Sequence, residues 1–269
     1  MQSAPTTPAD DDCGYRPPRT VVSPDLTIPF HGDFYTRPGP RPTTADYWAG
    51  HNVTAHEVFS SVEDSLDHFW FRNKLYPGYI DLLPVEGWKD KVILDYGCGP
   101  GNDLLGFAHY SRPKELIGVD ISAVSLAQAQ ARLSLHEATA RMIHVPYDQY
   151  ELPLDSASVD YVHCSGVLML VEDPERLLKE FRRILKPDGE LRLMVYNYDS
   201  IWLHLYVAYV VQIEHELYSD VDVRAAFSRT TDGEDCPLVY VWDREEVSAM
   251  ARATGFVPEC LGAALSLWE

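Results

Sequence analysis

The segment "KVILDYGCGPGN", residues 91–102, constrains the fold more than any other stretch of the chain. Val, Ile and Leu follow one another without polar alternation, which is the pattern of a strand buried on both faces, and such strands belong to parallel sheets with helices on each side. The strand runs straight into Gly97, Gly99 and Gly101. Glycines at these positions let the backbone take positive φ angles and approach a ligand with no Cβ in the way. A helix beginning near Asn102 would then aim its first unpaired amides at whatever the turn holds.

The same rhythm continues. "ELIGVDIS", "RMIHV", "VDYVHCSG" and "GELRLMVYN" read as further strands, with helical patterns between them at 102–110, 123–135 and 174–185. Strands alternating with amphipathic helices define the α/β class. Asp173 followed by Pro174 and Glu175 marks one helix start, and Arg182, Arg183 and Lys186 suit its negative end. After Asn197, "SIWLHLYVAYVVQIEHEL" predicts a long helix that is apolar nearly all round, buried or facing a cap. A last helix over 244–253 and a strand near 256–261 complete the pattern, and no internal repeat is visible.

Five regions follow from this. Nine of the 19 prolines lie before residue 43, so 1–42 reads as a mobile tail with too little apolar surface to repay its ordering, Phe30 to Tyr35 being the part able to dock. Residues 43–90 form an aromatic helical cap, with Thr44 or Asp46 capping a first helix and Ser61 to Asp64 opening a second. The core is 91–197, a helical insertion covers 198–236, and 237–269 returns to the core.

The chain has 269 residues, enough for one large core with appendages. Its 41 acidic against 22 basic side chains give a net charge of -19, which repels nucleic-acid backbones and anionic lipid. With no long apolar segment and no secretion-signal order at the start, a cytoplasmic location without nucleic-acid or membrane partners is expected. The five cysteines are scattered and have no C-x-x-C spacing, so they read as isolated thiols. No H-E-x-x-H occurs. His51 and His56 lie in the cap, and His204 and His215 on one helix would stand about 16 Å apart by rise alone, so no metal is expected.

The turn itself is not a dinucleotide fingerprint, because the third glycine of G-x-G-x-x-G would fall at residue 102, where Asn stands. Asp95 precedes the first glycine by two residues, where it would repel a pyrophosphate but attract an ammonium group. Asp120 ends the next strand, placed to accept hydrogen bonds from ribose hydroxyls at the switch point of a doubly wound sheet. A ligand that is part nucleoside and part amino acid is implied.

From Val92 to Asn197 the sequence resembles the class I S-adenosylmethionine-dependent methyltransferases. "LDYGCGPG" is similar to their first motif, "GVDIS" to their ribose-binding strand end, and "YDQYELPL" to the loop whose acid meets adenine. The run "VDYVHCSGVLMLVEDPERLLKEFRRILKPDGELRLMVYN" is similar to theirs from the fourth strand to the fifth. The resemblance implies a Rossmann-like, doubly wound, mostly parallel seven-stranded sheet under a helical N-terminal cap. The chain leaves little room for its seventh strand, so that edge is expected to be abbreviated or the sequence cut short. S-adenosylmethionine is the implied cofactor and S-adenosylhomocysteine its product. By the same resemblance Asp95, Gly97, Cys98 and Gly99 line the methionine half, with Gly101, Asn102 and Asp103 at the helix start. Asp120, Ile121 and Ser122 meet ribose and adenine, Asp148 and Gln149 the adenine edge, and Cys164 and Ser165 border the reacting sulfonium.

Met169 and Leu170 stand where many relatives carry a His pair, so any base must come from elsewhere. Tyr196, at the end of the fifth strand, is the candidate to orient an acceptor, and His204 the candidate base, with His68 and His163 in reserve. The expected activity is methyl transfer to oxygen or nitrogen of a small metabolite, in specialised biosynthesis, by a protein to which homodimerisation is open. A carbon methyltransferase, transfer from a modified S-adenosylmethionine, and a non-catalytic cofactor-binding partner are the alternatives.

Overall fold

The computed structural model describes residues 43–50, 58–233 and 235–265. The expected tail at 1–42 and the cap histidines 51 and 56 lie outside them. Five strands form one parallel sheet: β1 (Val92–Tyr96), β2 (Glu115–Asp120), β3 (Arg141–His144), β4 (Val159–Ser165) and β5 (Leu185–Met194), in the order β3-β2-β1-β4-β5. The first four coincide with the expected runs, while β5 begins at Leu185, ahead of the expected "GELRLMVYN", and ends at Met194, short of Asn197. Every residue of β1 is buried, and neighbours point to opposite faces. Leu94 and Tyr96 pack with Val119, Val162 and Phe181 on one side, while Ile93 packs with Leu104, Leu105, Leu133 and Tyr161 on the other.

In chain order the helices are α1 (Thr44–Gly50), α2 (Val62–Leu75), α3 (Tyr79–Leu82), α4 (Asn102–Gly106), α5 (Ala123–Leu135), α6 (Pro174–Ile184), α7 (Val223–Thr230) and α8 (Arg244–Ala253). Side-chain caps set several starts: Ser61 accepts from Asp64 N, Ser122 from Ser125 N, and Asp173 from Arg176 N. At α1 the corresponding acceptor is Thr43, on Asp46 N, rather than Thr44 or Asp46. The 102–110 helix proves composite, with α4 widening into a π-helical turn over Phe107–Ser111.

Two expectations are corrected. The sheet has five strands among the described residues, not seven. Residues 240–242 do come alongside the end of β5, where Tyr198 N bonds Trp242 O at 2.9 Å, but they close only an isolated bridge, Asn197 to Trp242. The segment 256–261 forms no strand: Pro258 lacks an amide, and Val257 is almost fully exposed, so nothing covers it. The helix after Asn197 is the second case. It is a wide, π-helical element, Trp202–Glu214, whose buried stripe is Leu203, Val207 and Val211, while Leu205, Tyr209 and Ile213 are exposed.

β1 leads outward through β2 to β3, and the chain then returns to lay β4 on the other side of β1. The crevice at the carboxyl ends of β1 and β4 is therefore the topological switch point, where open α/β sheets hold their ligands.

Candidate active site at the switch point

Asp95 of β1 stands beside His163 of β4 in the sheet register, and both lie on the face that α2 and α4 cover. Burial pushes the Asp95 carboxyl up to about 7, even though His163 pulls it down, and Oδ2 has no hydrogen-bond partner. Asp103, in the first turn of α4, is spent differently. Arg72 of α2 reaches it with both guanidinium nitrogens, at 2.5 and 3.1 Å, and His163 Nε2 lies 3.4 Å away. Burial would raise Asp103, but Arg72 and His163 outweigh it and hold the carboxyl well below the usual range. Arg72 also lies 5.0 Å over the Tyr79 ring, and the Tyr79 hydroxyl sits 2.5 Å from Ser165 Oγ at the end of β4.

Two carboxylates thus face one guanidinium, and the uncompensated negative charge belongs to Asp95. A buried carboxylate in that position is stabilised by a cation that brings its own N–H donors. An amino acid's ammonium group fits that description.

The glycine turn is shaped by contact as much as by conformation. Gly97 has φ +73°, and a Cβ there would overlap Val167 Cγ2, whereas a Cβ on Gly99 would meet open space. Gly97→Ala is expected to cost roughly 2 kcal/mol or more, combining left-handed strain with overpacking. A thermal melt of the cofactor-free protein checks it, an unchanged midpoint being the contrary result. Gly101, at φ +82°, opens α4 against Ala129.

Asp120 is part-buried at the tip of β2, where Oδ2 accepts from Gly99 N and Oδ1 from Ser122 N, each at 2.8 Å. Burial raises this carboxyl, and those amides resist the rise. Asp120 therefore ties the glycine turn to the start of α5, with Ile121 beside it packing on the core and Ser122 buried as the cap.

Other expected contacts are turned elsewhere. The Cys98 and Cys164 side chains are packed in the core. Asn102 is buried with Oδ1 accepting from Arg132 Nη1 at 3.0 Å, so it serves the contact between α4 and α5. Asp148 and Gln149 lie exposed on the loop after β3, Gln149 bonding Glu151 O. Tyr196 is part-buried and donates to both oxygens of Asp232, at 2.8 and 3.0 Å. His204 is exposed on the wide helix, edge-on to Tyr198 at 5.4 Å, and is not part of the Asp95 cluster. Among the described residues no group of three His, Cys, Asp or Glu could hold a metal ion, and no helix is long and apolar enough to cross a membrane.

Residues 94–193, the stretch that contains this cluster, match the family described as "Methyltransferase domain". The chain carries a class I S-adenosylmethionine-dependent methyltransferase domain. The protein with this methyltransferase domain is 33% identical over 151 residues to a protein in transposon TN4556 of Streptomyces fradiae, across 56% of this chain and 38% of that one. It is 28% identical over 153 residues to the ubiquinone biosynthesis O-methyltransferase of Pseudomonas paraeruginosa, across 53% and 63%. The chain therefore spans less than two thirds of these relatives' length. An S-adenosylmethionine dependent methyltransferase from Mesorhizobium loti has the same fold, with a TM-score of 0.50 at 18% identity over 68% of this chain and 82% of that one.

The site fits the cofactor of this domain: Asp95 Oδ2 is an orphaned buried acceptor, and the space at Gly99 is open. Arg72 escaped the sequence reading. Arg72 lies inside the aromatic run "FWFRNKL", and nothing local there signals a partner 31 residues ahead.

Proposed function

We propose that the protein transfers a methyl group from S-adenosylmethionine to an oxygen or nitrogen of a small metabolite in a specialised biosynthetic route. The observation that carries this reading is the unpaired Asp95 carboxylate at the switch point. When bound, the cofactor supplies a methyl group already activated on a positive sulfur. Asp95 would hold its ammonium group, Asp120 the ribose hydroxyls, and Gly97 to Gly101 a close backbone wall, while Asp148 and Gln149 would lie at the adenine edge. Positioning in a closed crevice then supplies much of the rate.

A small acceptor is favoured by the aromatic surroundings beyond β5. Tyr47, Trp48, Tyr196, Trp202 and Tyr206 pack on one apolar cluster with Phe227 and Met169. The net charge of -19 disfavours a nucleic acid. The relative from Pseudomonas paraeruginosa, whose name places it in ubiquinone biosynthesis, points the same way. His204, being exposed, is the weaker of the two residues expected to assist the acceptor.

Isothermal titration with S-adenosylhomocysteine is the test. The protein gives a saturable heat, and Asp120→Ala weakens binding by roughly ten- to a hundredfold, the worth of one or two hydrogen bonds to a charged acceptor. No heat from the unaltered protein, or full affinity in Asp120→Ala, would sink the assignment. Methylated RNA or DNA as the product of labelled S-adenosylmethionine would overturn the choice of acceptor.

A further inference from the structure

The Tyr196 and Asp232 pair takes no part in the Asp95 cluster, yet it is joined to it. Met194, the last residue of β5, pairs with Ser165, and Tyr196 lies two residues further on. From Ser165 the path runs through the Tyr79 hydroxyl to the Tyr76 ring, 6.2 Å from that of Tyr79; burial first, then Asp232, and to a lesser degree Tyr76 disfavour ionisation of Tyr196. The pair thus stands beyond the end of β5, on the opposite side of β1 from Asp120 at the tip of β2.

Asp232 is held in a left-handed conformation, φ 60°, on the loop after α7. The Tyr47 hydroxyl of α1 bonds its carbonyl, Trp202 of the wide helix bonds Thr231 beside it at 3.2 Å, and Phe227 of α7 meets the Tyr196 ring edge-on at 5.6 Å. The titratable groups that meet it are Tyr196 and Tyr47, while Asp235 and Cys236, on its own loop, act on Tyr47, and Cys236 on Tyr196 as well. Among the described residues no cation faces it. Burial raises the carboxyl to about 6, against the pull of the Tyr196 hydrogen bond.

We infer that Tyr196 and Asp232 form the proton-accepting pair for an acceptor that presents a phenolic hydroxyl, Tyr196 touching the acceptor and Asp232 acting through it. The inference rests on the methyl-transfer reading above and names its substrate class. A protonated amine would need the carboxylate directly, but Tyr196 already covers both of its oxygens. A phenol needs only the Tyr196 oxygen, and its ring suits the aromatic surroundings, where Trp202 and Tyr206 stack at 4.2 Å. The acceptor's O–H bond breaks and its proton passes to Tyr196 Oη, while the proton of Tyr196 passes to Asp232. The acceptor oxygen uses the freed electron pair to bond the methyl carbon, and the electrons of the carbon–sulfur bond stay with sulfur. Asp232 later returns its proton to water. Tyr196 is then a catalytic residue and Asp232 a positioning one.

Two measurements test this. In infrared difference titration the unaltered protein shows a carboxyl band with a midpoint near 6, and Asp232→Asn lacks it. In transfer of labelled methyl from S-adenosylmethionine to 4-nitrophenol and to catechol between about pH 5 and 8, the rate rises with pH through the same midpoint, because only ionised Asp232 can take the proton. Asp232→Asn is expected to lose that limb and about a hundredfold or more in kcat, with KM for the phenol changed only a few fold, and Asp232→Glu to restore the limb. Tyr196→Phe shows the same loss with S-adenosylhomocysteine affinity intact, and carries the test alone should Asp232→Asn fail to fold. An unaltered pH profile in Asp232→Asn, a loss confined to KM, or no transfer to either phenol by protein that binds S-adenosylhomocysteine overturns the pair's role. Failure of the unaltered protein to bind S-adenosylhomocysteine is a different result, which brings down the methyl-transfer reading and this pair with it.

Discussion

Asp95→Asn should weaken S-adenosylmethionine binding by about 2–5 kcal/mol, roughly thirtyfold to several thousandfold, the cost of removing one partner from a buried charge pair. The same substitution should leave the cofactor-free fold as stable as before, or more so, above neutral pH. The opposite signs have one cause. Without ligand, Asp95 is a buried carboxylate with an unpartnered oxygen, a charge the fold must keep away from water for no return. Its carboxyl is raised from 3.8 to about 7, so the folded protein holds that proton where the unfolded chain has released it. The stability this contributes is complete below about pH 4 and is lost as pH rises to about 7. Thermal melts from pH 4 to 8 should show that decline in the unaltered protein and a shallower one in Asp95→Asn. Cofactor affinity runs the other way: an ammonium ligand needs the carboxylate, so binding should strengthen as pH rises through about 7, and that dependence should vanish in the variant. A variant that binds normally would mean that the ammonium group lies elsewhere.

The parts of this site that could be read in the sequence are those that local chemistry specifies. Four of the five strands lie in the runs expected of them, because a parallel strand buried on both faces is a continuous apolar run, whereas β5 starts at Leu185, ahead of its expected run, and is mostly only part-buried. The 123–135 and 244–253 helices have the expected limits, since Ser122 and Asp243 cap them and neither needs a distant partner. Asp95 and the glycines were legible for the same reason. What could not be read depends on partners far along the chain. Asn102 and Asp103 sit in the motif but are taken up by Arg132 and Arg72, each about 30 residues away. Cys98 is in the right place with its side chain on the wrong side, directed into the core beside Gly118. The sheet is narrower than the resemblance implies because residues 240–242 lie parallel to the chain just past β5 but close only one isolated bridge with it, too little for a further strand. The wide helix buries one stripe where its composition suggested several, and His204 falls on the exposed side.

The second large effect concerns the cap. Arg72→Met removes the guanidinium that holds Asp103 and leaves that buried carboxylate with His163 alone, so it should destabilise the fold by about 3–5 kcal/mol. Against the 5–15 kcal/mol typical of a whole domain, such a loss would be visible as a large fall in melting temperature. The pH dependence separates this account from simple loss of packing. In the unaltered protein Asp103 titrates below its ordinary value of 3.8, so its stabilising contribution is present above about pH 4 and is lost as pH falls further. With Arg72 gone, burial has less to oppose it and the Asp103 carboxyl should rise, which makes the variant's deficit greatest near neutrality and smaller towards acid. Removing both charges tests the same point independently. Arg72→Met combined with Asp103→Leu should recover much of the stability, because an apolar pair carries no desolvation cost, whereas two lost packing contacts would add. Hydrogen exchange should locate the damage in α2, since Arg72 fastens that helix over Asp103 and Tyr79, and S-adenosylhomocysteine affinity should fall with it even though Asp95 is untouched. A double variant no more stable than Arg72→Met would mean that the guanidinium matters for its contacts with Tyr79 and not for its charge.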